Sequence, residues 1–209
     1  MEKAKPPSNG GEKVKASSRD VENVKVLSSG GENAKLFAKT LFGAGLECRM
    51  ALALFELDDM MEIYASYEEL AEIIRRRFTE PQNTLKELFG RLVFNILCGN
   101  TDDHAQNHAA FWDREYLTLT PAYGICPHSR SGGEPCQAML INGDNNLSFL
   151  KSCVNSVFQF LIQEKEAKDI IANMVQLIEE SWDNVCEEAE LRETDKNLFW
   201  ERRFLNPFA

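Results

Sequence analysis

The sequence predicts an α+β fold that is mainly α-helical. Apolar residues recur at the 3.6-residue period of amphipathic helices between residues 66 and 97, and again between 147 and 186. Between these blocks, residues 109–112 and 116–120 are short, β-prone and alternating, and a polar turn separates them, which predicts a β-hairpin. At 209 residues with 44% apolar content, the chain is long enough to bury one hydrophobic core.

The first helical block contains recognisable start and stop signals. A capping box at Ser66 predicts the start of one helix, and a second capping box at Thr84 predicts the start of the next. Gly99 follows the last apolar position of the second helix and suits its C-terminal end. The strongly apolar run 46–57 is also predicted to be helical.

The second helical block divides into two predicted helices, 147–161 and 164–186. Their apolar stripes, which include Phe158 and Leu161, are predicted to lie in the core. The aromatic C-terminal segment 198–205 is predicted to pack back on this bundle.

The first 35 residues contain a ten-residue repeat. Serine recurs at positions 8, 18 and 28, glutamate at 12, 22 and 32, and lysine at 15, 25 and 35. Units of this kind have few large apolar side chains and cannot enclose a core. We therefore predict a flexible ten-residue-repeat arm over residues 1–41 and a folded domain over residues 42–209.

Charge and composition exclude several classes of function. The net charge is −10, and residues 163–201 alone contain twelve acidic and four basic side chains. Direct nucleic-acid binding requires a basic surface, so contact with DNA is expected only through a partner. No apolar run approaches the length of about 20 residues that spans a bilayer, and no signal peptide is recognisable, which predicts a cytoplasmic protein without a membrane partner. The six cysteines lack a Cys-x-x-Cys pair and suit a reducing compartment.

The residues with the clearest chemical potential are Asp102 and Asn107. In protein kinases, an aspartate that accepts the proton of the substrate hydroxyl is followed at this spacing by an asparagine that holds magnesium, and a short hairpin follows. The spacing alone also fits a solvated polar loop. His104 and His108 have the spacing of a zinc pair, but they lie on a predicted loop-to-strand segment, where this spacing does not bring the rings together.

The segment Phe94–Asn107, which reads FNILCGNTDDHAQN, resembles the catalytic motif of HipA-type serine/threonine kinases, the toxins of bacterial toxin–antitoxin modules. Residues 66–75 and 117–123 resemble the same family upstream and downstream. The resemblance extends over about residues 42–205 and implies a protein-kinase-like C-terminal lobe, with a short β-hairpin after the catalytic loop and with the upper lobe largely missing.

The resemblance also implies roles for individual residues. Asp102 corresponds to the proton acceptor and Asn107 to the magnesium ligand, with ATP and Mg²⁺ as cofactors. Asp103 is either a second acid of the motif or a turn-capping residue. The implied nucleotide-lining residues are His104, Ala105, Gln106, Asn107, Tyr123 and Ile125.

A fainter resemblance lies in the repeat arm. The segment 28–35, with Gly30, Gly31 and Lys35, resembles the Ser/Gly-rich loop that these kinases place near the phosphates. Glycine would allow close backbone approach and lysine would supply positive charge. The recurrence of Gly-Gly at positions 10 and 11 without flanking strands favours an unstructured repeat instead.

The chain departs from the family pattern in two ways. Gly124 stands where the family has a second metal-binding aspartate, and no acid lies between Glu115 and Glu134 to replace it. Loss of such a ligand costs about two to four powers of ten in rate. Fewer than about 65 residues precede Ser66, and they do not read as the stranded upper lobe of a kinase.

These observations lead to one hypothesis with two alternatives. The leading hypothesis is a HipA-like serine/threonine kinase domain that transfers phosphate from ATP to a protein hydroxyl. The family resemblance implies a substrate such as an aminoacyl-tRNA synthetase and an antitoxin partner with a DNA-binding domain. The first alternative is a catalytically inactive remnant or interaction module. The second is a split kinase, in which a separate polypeptide supplies the upper lobe.

Overall fold

The computed structural model describes residues 65–129 and 135–207, together with the backbone of residues 47–50. The predicted repeat arm, with Gly30, Gly31 and Lys35, lies outside the described residues. In chain order the elements are β1 (Glu47–Met50), α1 (Tyr67–Arg77), α2 (Pro81–Leu97), β2 (Ala109–Trp112), β3 (Leu117–Leu119), α3 (Leu150–Asn155), α4 (Glu164–Glu188) and α5 (Glu193–Phe199), with 3-10 turns at Ala105–Asn107 and Val157–Phe160.

The described strands form one antiparallel sheet in the order β1-β2-β3. The predicted hairpin is confirmed: Ala110 of β2 pairs with Leu119 of β3. Its turn is held by the side chain of Asp113, which accepts hydrogen bonds from the backbone amides of Glu115 and Tyr116 at 2.9 and 2.8 Å. A polar turn that satisfies its own backbone in this way keeps two short strands in register.

The prediction of a helix over residues 46–57 is wrong for Glu47–Met50. These four residues form β1, which pairs with β2 across its full length. The periodicity of this apolar run does not distinguish a helix from a strand. The chain forms a strand here because the free edge of β2 provides backbone groups with which it can pair. Residues 51–57 lie outside the described part of the chain.

Helix α1 begins as predicted. Ser66 is its N-cap, and the hydroxyl of Ser66 accepts a hydrogen bond of 3.1 Å from the backbone amide of Glu69. Acidic residues occupy the first turn and arginines the last turn, which suits the helix dipole. The buried face of α1 packs against α2 and includes Tyr67, Leu70, Ala71 and Ile74.

Helix α2 begins four residues earlier than the capping box at Thr84 predicts, since its N-cap is Glu80. Pro81 occupies the first turn, where its missing N–H costs nothing. The hydroxyl of Thr84 instead donates to the backbone carbonyl of Glu80 at 2.8 Å. The predicted C-terminal end is confirmed, since the helix ends at Leu97 and Gly99 follows with a φ of +69°. Ten of its residues are buried, so α2 is the central helix of the core.

The prediction that Phe158 and Leu161 lie in the core is wrong. They are 58% and 57% exposed, because α3 ends at Asn155 and the chain continues as a 3-10 turn. Leu161 then adopts a left-handed φ of +55°, which turns the chain away from the helix axis. The prediction required an uninterrupted helical period from residue 147 to residue 161. The change from α-helix to 3-10 turn alters this period and rotates the two side chains towards solvent.

Helix α4 confirms the prediction for residues 164–186, and the C-terminal segment packs on it as predicted. The ring of Trp182 lies 5.1 Å from that of Trp200 and 5.3 Å from that of Phe204. Within the described residues, none of the helices is both long and apolar enough to cross a membrane.

Candidate active-site loop

The loop that carries Asp102 and Asn107 begins where α2 ends, at Gly99. A Cβ atom at this glycine would lie 2.4 Å from the backbone oxygen of His128 and 3.3 Å from that of Arg203. The nearby amide of Leu205 donates to the carbonyl of Leu97 at 2.8 Å. Glycine is therefore required for the positive φ and also for the close approach of two other backbone segments.

Two buried asparagines support the first half of the loop. The backbone amide of Asn100 donates to the backbone carbonyl of Asn95 at 2.8 Å, and their side chains are hydrogen-bonded at 3.0 Å. The side-chain oxygen of Asn100 accepts from the backbone amide of Asp102 at 3.3 Å. The backbone at Asp102 is thus attached to the end of the central helix.

The structure places Asp102 and Asn107 on opposite ends of one closed turn. The side chain of Asp102 is exposed. The side-chain amide of Asn107 donates to the backbone carbonyl of Asp102 at 2.9 Å, and the backbone amide of Asn107 donates to the backbone carbonyl of His104 at 2.8 Å. Because the NH₂ group of Asn107 is used in this way, its oxygen is the atom left to meet a cation.

Asp103 points in the opposite direction and is buried. The hydroxyl of Tyr67 donates a hydrogen bond to its carboxylate, and Nε2 of His108 lies 3.3 Å from the other carboxylate oxygen. The rings of Tyr67 and His108 meet edge to face at 5.7 Å. Asp103 is therefore buried against Tyr67 and His108, which contradicts the turn-capping role, one of the two alternatives that the sequence left open.

Burial and charge shift the pKa of two groups here in opposite directions. Burial raises the pKa of Tyr67 well above its usual 10.0, and the negative charge of Asp103 raises it further. Burial alone would raise the pKa of Asp103 as well, but the charge of the nearby His108 and hydrogen bonds from Tyr67 and Asn95 outweigh the effect of burial, and they lower the pKa of Asp103 below its usual 3.8. Asp103 is therefore ionised at neutral pH, beside a neutral tyrosine.

Several other predicted site residues lie near this turn. The hydroxyl of Tyr123 donates to the backbone carbonyl of Gln106 at 2.7 Å, which joins the segment after β3 to the 3-10 turn. Ala105 is buried within that turn, whereas His104 is partly exposed. Ile125 packs against the edge of the core.

Gly124 lies directly against Asn107. Its φ is +71°, and a Cβ atom there would lie 2.4 Å from the side-chain oxygen of Asn107. An aspartate at this position would need a left-handed backbone and a displaced Asn107. The position to which the resemblance assigns a metal ligand thus faces Asn107, but in this chain it has no side-chain oxygen.

The residues present fit a magnesium ion with few protein ligands. Mg²⁺ prefers oxygen atoms and usually takes one or two from the protein, with phosphate and water oxygens completing the octahedron. Asn107 offers its carboxamide oxygen, and the exposed carboxylate of Asp102 belongs to the same turn. No cluster of three or more His, Cys, Asp or Glu side chains suited to a metal occurs within residues 65–129 and 135–207.

Sequence reasoning did not assign the buried partners of the loop. Tyr67, Asn95, Asn100 and His108 are all buried and polar. Asn95 carries a usable signal, since it interrupts an apolar run at a core-facing position of α2. A polar residue at such a position requires a buried partner. The identity of that partner depends on contacts between distant segments.

The fold and this loop together define an α+β domain in which a central helix presents an exposed Asp/Asn turn beside a small antiparallel sheet. Residues 21–182 match the model of the family described as the HipA-like C-terminal domain. The chain belongs to this family. The matched region begins at residue 21 and so includes Gly30, Gly31 and Lys35.

A solved structure agrees with the family assignment. A chain of the complex described as the Shewanella oneidensis MR-1 toxin–antitoxin system HipA, HipB and its operator DNA is similar to this chain, with a TM-score of 0.54 and 18% sequence identity. The similarity covers 65% of this chain and 32% of that chain, so the present sequence spans about a third of the length of its structural relative. No curated protein sequence matches this chain significantly.

Proposed function

We propose that this chain is a HipA-like serine/threonine kinase domain that transfers the γ-phosphate of ATP to a protein hydroxyl. The observation that carries the proposal is the 2.9 Å hydrogen bond between the side-chain amide of Asn107 and the backbone carbonyl of Asp102. It joins an exposed carboxylate and an oriented carboxamide oxygen in one turn, as phosphoryl transfer requires.

Each residue of the turn has a distinct task in this proposal. The carboxylate of Asp102 accepts the proton of the substrate hydroxyl. The oxygen of that hydroxyl bonds to the γ-phosphorus, and the bond between the γ-phosphorus and the leaving ADP oxygen breaks. Asn107 offers its side-chain oxygen to Mg²⁺. The metal, when bound, neutralises negative charge on the phosphates.

Membership in the family supports a toxin–antitoxin context for this reaction. The Shewanella complex contains HipB and operator DNA beside HipA. We therefore propose a cytoplasmic role in which the chain associates with an antitoxin that itself binds DNA. The acidic surface of residues 163–201 is consistent with DNA contact through such a partner alone. An aminoacyl-tRNA synthetase is the substrate that the family resemblance proposes.

Gly124 favours a second candidate function, that of an interaction module or one half of a split kinase. The glycine leaves the site one carboxylate short, and its positive φ makes the loss difficult to reverse by a single substitution. A shallow groove of about 330 Å³ lies away from the turn, between the start of α2 and β3. A separate upper-lobe polypeptide would have to supply the second wall of a nucleotide cleft above Asp102.

The first experiment measures ATP binding and phosphate transfer by the full 209-residue chain. Titration calorimetry with ATP is performed with and without Mg²⁺, and transfer of radiolabelled γ-phosphate to the chain itself or to a generic acceptor protein is followed. We expect Asp102→Asn to retain ATP binding and to lower transfer by about 10²- to 10⁴-fold, because it removes the proton acceptor. Asn107→Ala should abolish the dependence of ATP binding on magnesium.

The matched control is Asp144→Asn. Asp144 is also an exposed aspartate in a tight turn, but it belongs to a different segment, between β3 and α3, where Asn142 and Asn145 pair on either side of it. This variant should behave like the parent chain. If the folded parent chain shows neither magnesium-dependent ATP binding nor phosphate transfer, the proposal that this chain is itself a kinase is wrong, and the interaction module and the split kinase remain.

A further inference from the structure

We propose that Asp103 is a positioning residue whose buried carboxylate, held by Tyr67 and His108, fixes the turn that carries Asp102 and Asn107. These three side chains are called the buried triad below. The proposal rests on the proposed function only for its effect on nucleotide binding, since the hold on the turn is a property of the described residues themselves.

The first argument is the direction of the side chain. Among the four loop residues 101–104, Asp103 is the one that is buried, and its neighbour Asp102 is exposed. The two adjacent side chains therefore face different environments, one the protein interior and the other the solvent. Holding the carboxylate of Asp103 inside the protein therefore keeps that of Asp102 at the surface.

The second argument is that the partners of Asp103 come from two different elements. Tyr67 is the first residue of α1, and His108 directly precedes β2. The carboxylate thus joins the loop to a helix on one side and to the sheet on the other. Each of the two proposed site residues, Asp102 and Asn107, is followed immediately by a member of the buried triad.

The third argument is the cost of any alternative arrangement. Asp103, Tyr67 and His108 are each at most 3% exposed. A carboxylate at such depth that lost its partners would remain as an uncompensated buried charge, which is strongly unfavourable. The hydroxyl of Tyr67 and Nε2 of His108 both face this carboxylate, so a displaced loop conformation would separate the buried charge from both groups.

The test measures the order of the loop and does not depend on catalysis. Amide hydrogen exchange is recorded for the full 209-residue chain and for the variants Asp103→Asn and Tyr67→Phe. We expect exchange in residues 101–107 to become at least about tenfold faster in both variants, because each weakens a hydrogen bond to a charged group. Exchange in the middle of α4 should stay close to that of the parent chain.

Two controls separate a local effect from general destabilisation. Tyr116→Phe removes the hydroxyl of an exposed tyrosine on the hairpin and should leave exchange in the loop unchanged. Ile178→Val removes one methyl group from the core side of α4 and lowers stability without touching the loop. If Asp103→Asn and Tyr67→Phe accelerate loop exchange no more than Ile178→Val does, the positioning proposal is overturned.

A second measurement distinguishes failure of this proposal from failure of the kinase proposal. Affinity for ATP with Mg²⁺ is measured for the parent chain and for Tyr67→Phe, which keeps the ring and loses only the hydroxyl. Weaker affinity together with faster loop exchange supports both proposals. If the parent chain binds no ATP, the kinase proposal fails and the exchange data still decide the role of Asp103. If ATP affinity and loop exchange are both unchanged in Tyr67→Phe, the positioning proposal fails alone.

Discussion

At the scale of single residues, the loop is shaped by two glycines with different surroundings. Gly99 is enclosed by backbone atoms of two other segments, which cannot move without disturbing the fold. Gly124 is instead enclosed by the side chain of Asn107, which can rotate. Replacement of Gly99 should therefore damage the fold, whereas replacement of Gly124 should damage the candidate site.

We predict that Gly99→Ala lowers the free energy of unfolding by at least about 2 kcal/mol. The alanine would have to keep a left-handed φ of +69° with its Cβ atom 2.4 Å from the backbone oxygen of His128. Urea denaturation followed by circular dichroism measures the loss. Gly143→Ala is the matched control, because Gly143 has a φ of +55° but a Cβ atom there would meet nothing within 4 Å among the described residues, and the substitution should cost only about 1 kcal/mol. Equal losses in the two variants would contradict this account of Gly99.

At the scale of elements, the site depends on where α1 and α2 begin and end. Tyr67 of the buried triad is the first residue of α1, and the C-terminal end of α2 leads into the loop. Arg91 of α2 also donates to the backbone carbonyl of Thr120 at 2.6 Å, and this bond holds the segment that continues to Gly124. The candidate site is thus assembled at element ends, where backbone groups are available for bonding.

We predict that Ser66→Ala lowers the free energy of unfolding by about 1 kcal/mol, because it removes the cap of α1. The hydroxyl of Ser66 accepts from the amide of Glu69 at 3.1 Å and donates to the carboxylate of Glu69 at 3.2 Å. Thermal and urea denaturation measure the change. Ser66→Thr retains a hydroxyl cap and should lose only a few tenths of a kcal/mol. A loss in Ser66→Thr as large as in Ser66→Ala would show that the hydroxyl is not the stabilising group.

At the scale of the whole molecule, buried ionisable groups limit the pH range of stability. Burial raises the pKa of Cys153 from 9.0 to about 12, so its contribution to stability is present below pH 9 and is lost as the pH rises towards 12. The lowered pKa of Asp103 makes the stability of the protein depend on pH in the acidic range. Its contribution is present above pH 3.8 and is lost as the pH falls through the lower pKa of the folded state.

We predict that Asp103→Asn weakens the fall in thermal stability that the parent chain shows below pH 3.8, because asparagine has no carboxyl group to protonate. The midpoint of thermal unfolding is measured by circular dichroism from neutral pH to pH 2. Asp113→Asn is the matched control. The pKa of Asp113 is also lowered, by hydrogen bonds from the backbone amides of Tyr116 and Glu115, but this carboxylate is exposed. An acid profile for Asp103→Asn identical to that of the parent would contradict an ionised Asp103 in the folded state.

Local patterns in the chain were sufficient to predict α1, α4, the hairpin and the close spacing of Asp102 and Asn107 along the loop. Helical period, the cap at Ser66 and a polar turn each act over a few neighbouring residues, so the amino-acid order alone contains them. The predicted start of α2 was wrong because Pro81 and Thr84 are competing helix-start signals.

Other features depended on residues that are distant in the sequence. The strand at Glu47–Met50 exists because β2 offers it an edge, and Phe158 is exposed because α3 ends at Asn155 and the chain continues as a 3-10 turn. Asp103 differs from Asp102 only in its surroundings, since Tyr67 lies 36 positions earlier in the chain. Which of two adjacent aspartates is buried follows from the contacts of Asp103 with Tyr67 and His108, and no local pattern encodes these contacts.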